Sequence, residues 1–372
     1  MKVLHLFNEI NHSGAELMYA NASEYFRSNG IEMVAFSTGQ KLGDYADEFK
    51  LKNIRIFHQP IQKKLTFAFK AIGYYIRFYR LLKEEKIDIL HIHRSDLYLT
   101  GLVARFAGIR TVKTMHNVFR NRWFTYHYAV IKRYIARNLF KVTFQTVGRS
   151  VYENELNYYY NPTIRINNWY DENKFFPPRN SMEKNEVRKK YGIAENTFVV
   201  ISIGGCSLIK NHFDIIKALS LLKNDIEYLY LHIGTGIEEK NEKKLAIELK
   251  ISDNTKFLGI QQSLREFLVV ADVHVMPSRF EGLSISALEA MACGLPSIFY
   301  NSHGLWDLIN NNDNGFLIEH DYRLIAQKIV VLYNSPTLAK KMGNNARAFV
   351  LEQYSLNKNV SKILKLYKSL VS

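Results

Sequence analysis

Short apolar and β-branched runs alternate along this chain with longer segments whose apolar residues recur every three or four positions. The short runs predict strands at 3–7, 32–36, 54–57, 87–93, 110–115, 142–145 and 163–166. A second series stands at 198–203, 228–234, 256–258, 273–277, 297–299 and 315–318. Helical patterns separate most of them, at 15–28, 65–85, 97–107, 123–139, 213–222, 239–249, 263–270, 285–292 and 321–333, and 338–370 reads as helix throughout. Such alternation implies parallel sheets covered on both faces, an α/β class. The series restarts after Phe176-Pro177-Pro178-Arg179-Asn180-Ser181, a Pro-rich polar stretch that reads as a linker. The expectation is two Rossmann-like domains, 1–176 and 177–350, facing a central cleft, followed by a terminal helical segment 351–372. Each domain is long enough for its own core.

Composition narrows the class. Hydrophobic residues make up 47% and charged residues 23%, ordinary for a globular protein. No apolar run approaches 18 residues, which excludes a transmembrane helix, and Asn8, Glu9 and Asn11 interrupt the opening strand too early for a signal sequence. Cys206 and Cys293 lie far apart without metal-ligand spacing and fit a reducing, cytoplasmic setting. The net charge of +15 is uneven: residues 1–180 hold 27 Lys or Arg against 15 acids, and 97–152 contain ten basic residues and no acid. An anionic membrane surface or nucleic acid would attract such a domain. The segment 62–86, with Lys63, Lys64, Lys70, Arg77 and Arg80, is both basic and aromatic. So is the set Arg120, Arg122, Trp123, Lys132, Arg133, Arg137 and Lys141. That composition suits interfacial helices, and equally a sheet-packing helix with a solvated basic face.

The densest chemistry lies in 278–296. Glu281 and Glu289 stand eight positions apart, the first on a Gly-containing turn and the second inside an apolar helical stretch. Ser284 is an N-cap candidate, and Gly294 and Pro296 are stop signals, so the helix spans 285–292. Eight residues of helix put the carboxylates roughly 12 Å apart and about 80° apart around the axis. That suits a ligand with polar groups at both ends and an anion at the helix N-terminus, the shape of a nucleotide sugar. Glu281 would hold the sugar and Glu289 the ribose, with the backbone at Gly282, Leu283 and Ser284 beside the diphosphate. An ordinary amphipathic helix with two solvated acids fits the same letters. Lys210 follows the strand and turn Ile203-Gly204-Gly205, where an ammonium can meet a phosphate. Gly14 lies in Ser13-Gly14-Ala15-Glu16, which reads as a ligand-approach loop or as a capping box, or both. Gly234-x-Gly236 lacks a third glycine, so a dinucleotide fingerprint there is weak. His116 ends a strand at the edge where open parallel sheets bind ligands, with His93 and His12 as secondary candidates. No Asp-x-Asp is present to hold a metal on a diphosphate.

The run around Glu281 and Glu289 resembles the glutamate-x7-glutamate signature of retaining glycosyltransferases of family four, which have the GT-B fold. Other segments match in the expected order: Ser13-Gly14-Ala15-Glu16, the strand ending at His93, Thr114-Met115-His116-Asn117, Gly204-Gly205 through Lys210, Leu231 to Gly236, Phe257-Leu258-Gly259 and Asn314-Gly315-Phe316-Leu317. The resemblance implies that the terminal helix crosses back onto the first domain and that His116 lies near the transferred sugar. It implies that the loop at Gly14 faces the diphosphate and that many acceptors are lipid-linked. It also implies front-face transfer with retention, the leaving diphosphate taking the acceptor's proton. Where the family commonly has an arginine that neutralises the leaving group, this chain has Gly205; Lys240, Arg279 or an arginine of the first domain are the candidate substitutes.

The resulting expectation is a metal-independent, cofactor-free transferase that moves a hexosyl or N-acetylhexosaminyl group from a UDP-sugar to a glycan on polyprenyl diphosphate. Its setting would be bacterial surface polysaccharide synthesis (O-antigen or capsule), at the cytoplasmic inner face of the cell membrane, with no nucleic-acid partner. A nucleotide-sugar epimerase of the same fold is the competing enzyme; elimination needs acid–base groups in the first domain, and the stretch 97–152, without Asp or Glu, argues against it. A non-catalytic glycan- or nucleic-acid-binding protein would have no use for the paired glutamates and Lys210.

Overall fold

The computed structural model describes residues 1–61, 68–94, 98–118, 120 and 123–372, with backbone alone for 68–71. Lys63, Lys64, Arg122 and the side chain of Lys70 lie outside this description. The chain divides into two compact units, Met1–Trp169 with Leu356–Ser372, and Tyr170–Ser355. The division at 169/170 precedes the Pro-rich stretch from which the linker was read, and 351–355 belong to the second unit.

The first unit holds seven parallel strands: β1 (Lys2–Phe7), β2 (Glu32–Ser37), β3 (Arg55–His58), β4 (Ile89–Ile92), β5 (Arg110–Met115), β6 (Val142–Thr146) and β7 (Ile164–Arg165). Their order is β3-β2-β1-β4-β5-β6-β7. Leu4 of β1 registers with Val34 on one side and Leu90 on the other. With Leu6, Phe36, Phe78, Leu82 and Ile92 they build a core. Strands buried on both faces read as continuous apolar runs, which is why β1, β2 and β4 were plain in the sequence; β3 and the exposed β7 are edge strands.

The second unit holds six: β8 (Phe198–Ile203), β9 (Tyr228–Ile233), β10 (Thr255–Phe257), β11 (Val273–Met276), β12 (Ser297–Tyr300) and β13 (Gly315–Ile318). They run β10-β9-β8-β11-β12-β13. In both sheets the direction of winding reverses beside the first strand, between β1 and β4 and between β8 and β11. The carboxyl ends of those strand pairs are where open α/β sheets form a ligand crevice.

Three helices escaped the periodicity: Ala46–Leu51, Arg149–Glu153 with its π-helical continuation Asn154–Tyr158, and Ser181–Lys190. The last has almost no apolar stripe. Asn180 caps it, and buried Arg188 anchors it through the carbonyls of Val270 and Glu195 and the carboxylate of Asp272. The expected single helix 338–370 is two, Pro336–Tyr354 and Leu356–Val371. Ser355 is extended because it bridges to Tyr170, whose N–H donates to the Tyr354 carbonyl. The final helix packs on Gly14–Ser28 of the first unit, with Tyr25 Oη 2.8 Å from Ser361 Oγ and Tyr367 Oη 2.5 Å from His91 Nδ1. Among the described residues no helix is long and apolar enough to cross a membrane.

Candidate functional site

In the second unit, the loops after β8, β9 and β11 bring the expected residues to one sheet edge. Lys210 Nζ donates to Glu281 Oε1 at 2.5 Å, joining two residues 71 positions apart. The pair is partly buried, with 25% and 12% of the side chains exposed. Backbone bonds lock the two loops together: Arg279 N–H donates to the Ile209 carbonyl and Glu281 N–H to the His303 carbonyl. Asn211, at φ +56°, donates to Asp214 Oδ2 at 2.7 Å and reaches the Pro277 carbonyl. The turn Ser302–Trp306 was missed by sequence reasoning. Its signal was Ser302-His303-Gly304, one residue after β12.

The helix Ile285–Ala292 begins where expected, and Ser284 is its N-cap residue, but the Ser284 hydroxyl does not cap a backbone N–H. It lies 3.2 Å from Ser286 Oγ, and Ser286 donates to the Ile203 carbonyl at the end of β8. The helix therefore points an N-terminus without a side-chain cap at the β8–β11 crevice, beside Gly282 and Leu283. The first-turn N–H groups of a helix and its dipole attract an anion. Gly234, at φ +139°, must be glycine: a Cβ would lie 2.0 Å from the Gly204 carbonyl oxygen. At Gly205, which is exposed, a Cβ would come within 3.2 Å of the Thr235 carbonyl oxygen. Lys240 and Arg279 have exposed side chains.

Glu289 sits two turns further on and is partly buried. Its carboxyl is pushed up to about 8 by lost hydration, with Lys174 pulling it down and Asp171 pushing it up. Its side chain makes no hydrogen bond among the described residues, which leaves the carboxyl group for a ligand.

In the first unit, His116 follows β5. Burial, and secondarily the Lys113 ammonium, lower it to about 4, so it is a neutral imidazole at pH 7. His116 Nε2 lies 3.2 Å from His93 Nδ1, and His93 Nε2 lies 3.0 Å from His5 Nδ1. This relay of buried and partly buried imidazoles was only half visible in sequence, where His93 was secondary and His5 unremarked. His5, His91 and His93 cluster closely enough to hold a metal ion, but His91 already spends its nitrogens on Tyr367 and Thr114. His12 is exposed and packs on Tyr45. Gly14 opens its helix, but the capping box is not formed: the Ser13 hydroxyl donates to the Glu16 carboxylate and caps no backbone N–H.

The basic surface also needs one correction. Arg133 is not part of it: Nε and Nη2 donate to the two Glu155 oxygens at 2.8 Å each, and Arg133 is 7% exposed. Lys132 lies over the Tyr98 ring at 4.5 Å. The helix Trp123–Asn138 leaves Trp123 82% and Phe124 71% exposed, with Tyr128, Ile131 and Tyr134 also exposed.

The model of glycosyl transferases group 1 matches residues 183–349, and that of glycosyltransferase family 4 matches residues 12–152. The chain belongs to the family four glycosyltransferases. Relatives of this family include the UDP-Gal:alpha-D-GlcNAc-diphosphoundecaprenol alpha-1,3-galactosyltransferase of Escherichia coli, 28% identical over 92% of this chain and 89% of that protein. The capsular polysaccharide biosynthesis glycosyltransferase CapH of Staphylococcus aureus is 26% identical over 78% of each chain. Among solved structures, Anabaena HepE in complex with UDP and glucose superposes with a TM-score of 0.84 at 18% identity, covering 100% of both chains, which establishes the GT-B fold.

Proposed function

We propose that this glycosyltransferase is retaining and metal-independent, and moves a hexosyl or N-acetylhexosaminyl group from a UDP-sugar to a glycan on polyprenyl diphosphate during bacterial surface polysaccharide assembly. The observation that carries this is the Lys210–Glu281 pair beside a helix N-terminus that lacks a side-chain cap, at the switch point of the second sheet. In this reading the diphosphate lies on the helix N-terminus and takes one of the three Lys210 donors, the others remaining for Glu281. Glu281 orients sugar hydroxyls, and Glu289 accepts from the ribose diol. The acceptor hydroxyl attacks on the face from which the diphosphate departs, so the configuration is kept. A diphosphate oxygen takes its proton, and Lys210 meets the charge that grows as the glycosidic bond breaks. His116 acts as a neutral hydrogen-bonding partner near the transferred sugar, because its lowered pKa denies it a positive charge.

The named activities of the E. coli and S. aureus relatives support a nucleotide-sugar donor and a lipid-linked or capsular product. The exposed aromatic side chains of Trp123–Asn138, flanked by Arg120, Arg137 and Lys141, support peripheral docking at the inner leaflet. The test is a thermal-shift screen of nucleotide sugars, then turnover with lipid-linked acceptors and NMR of the product's anomeric configuration. No shift with any UDP-sugar overturns the donor assignment; inversion overturns the mechanism.

A further inference from the structure

Beneath the loop that carries Lys210 lies a second group of chemically matched side chains. Cys206 follows Gly205, His212 opens the helix His212–Ser220, His232 is in β9 and Glu242 is in the helix Glu239–Glu248. All four are buried, at 1%, 3%, 0% and 0% exposure. Their ligand atoms lie within 4.8 Å of one another. Cys206 Sγ is 3.1 Å from His232 Nε2, and His212 Nδ1 is 3.2 Å from Glu242 Oε1.

We propose that Cys206, His212, His232 and Glu242 form a structural zinc site that fastens the Gly204–Asn211 loop to β9 and the helix behind it. Three observations converge. The first is charge: in the metal-bound form a thiolate and a carboxylate would together carry a formal −2, which a divalent cation cancels in a dry interior. Without one, a fully buried carboxylate faces His212 through one oxygen while Glu242 Oε2 has no hydrogen-bond partner. The second is orientation. Ser202 Oγ lies 3.0 Å from His232 Nδ1 and 2.7 Å from Tyr230 Oη, which holds the opposite nitrogen, Nε2, toward Cys206. Metal-bound histidines are held in this way by a partner on the other ring nitrogen. The third is the donor set itself. One sulfur, two imidazoles and one carboxylate select zinc over the hard cations magnesium and calcium. Tetrahedral zinc at its usual bond lengths puts ligand atoms about 3.3–3.6 Å apart. The two measured pairs are near that range, and none of the four ligand atoms lies more than 4.8 Å from another.

Binding replaces the thiol proton of Cys206, which is released to solvent, by a zinc–sulfur bond; no oxidation occurs. The site is independent of the donor reading, because none of its residues is assigned there. To test it, the full chain is produced with a non-histidine tag in zinc-supplemented medium, and its metal is measured by mass spectrometry. About one zinc per chain is expected. Cys206→Ser and His232→Gln should fall below one fifth of that, whereas Cys293→Ser, at the other buried cysteine, should keep its zinc. Should the site variants fail to fold, wild-type protein loaded with Co²⁺ in place of zinc should show a thiolate-to-cobalt charge-transfer band and tetrahedral d–d absorption. Less than one tenth of a zinc per chain, with no uptake by protein stripped and re-exposed to Zn²⁺, overturns the proposal. So does full zinc content in folded Cys206→Ser.

Discussion

Replacing Lys210 by Ala removes the only side-chain donor recorded to Glu281 among the described residues and, in the proposed mechanism, a cation on the diphosphate. The 2.5 Å contact, with the Glu281 side chain 12% exposed, is a charged hydrogen bond with restricted solvent access. The charged hydrogen bond that Lys210 would make to the departing diphosphate contributes about 1.5–3 kcal/mol. At about 1.4 kcal/mol per decade, that is a loss of about 10- to 150-fold in kcat/KM. The loss should fall mainly on kcat, since the lysine meets charge that develops as the leaving group departs. Fold stability should change by only about 1 kcal/mol, because Lys210 is a quarter exposed and water screens the pair. Glu281→Ala should also reduce kcat, and the double variant should lose less than the sum of the two by about 1–2 kcal/mol. The assay is steady-state transfer from the UDP-sugar to a lipid-linked acceptor, with UDP binding followed calorimetrically. Activity within twofold of wild type for both single variants, or strict additivity in the double, refutes the reasoning.

Glu289→Ala should instead raise donor KM with kcat little changed, and an unaltered donor KM would remove Glu289 from the ribose. Since the folded state holds the Glu289 proton up to about 8 while the unfolded chain releases it near 4.5, wild-type stability should decline as pH rises between those values. Glu289→Gln should abolish that decline and gain on the order of 2 kcal/mol at pH 8, read from thermal midpoints, with the two proteins alike at pH 4; a parallel decline in both counts against it. Transfer should continue in excess EDTA while zinc content on the same sample stays constant, and complete loss restored by Mg²⁺ or Mn²⁺ contradicts metal independence. Sedimentation with anionic but not neutral liposomes should weaken in Trp123→Ser/Phe124→Ser and in Arg77→Gln/Arg80→Gln and fall with salt, as expected for charges screened within about 8 Å; equal binding to neutral vesicles, tested with DNA as competitor, ends the membrane assignment.

Sequence by itself determined the strand series, the two-part α/β plan and most of the residues that gather at the second sheet's edge, because buried parallel strands and glycine turns leave local signals. The helix Ile285–Ala292 was legible to the residue from its flanking Ser284 and Gly294. Elements held by long-range bonds were not. Ser181–Lys190 depends on Arg188 reaching Val270 and Asp272, and the break at Ser355 depends on Tyr170, both far away in the chain. Only tertiary structure decided that Lys210 pairs with Glu281, that Arg133 turns inward to Glu155 and that His5, His93 and His116 form a relay. It likewise gathers Cys206, His212, His232 and Glu242, whose spacing along the chain matches no metal motif. The physical reason is common to all of these. Backbone propensity and hydrophobic period act over a few residues, whereas the partner of a buried charge, thiol or imidazole is chosen by which strands the sheet order places side by side.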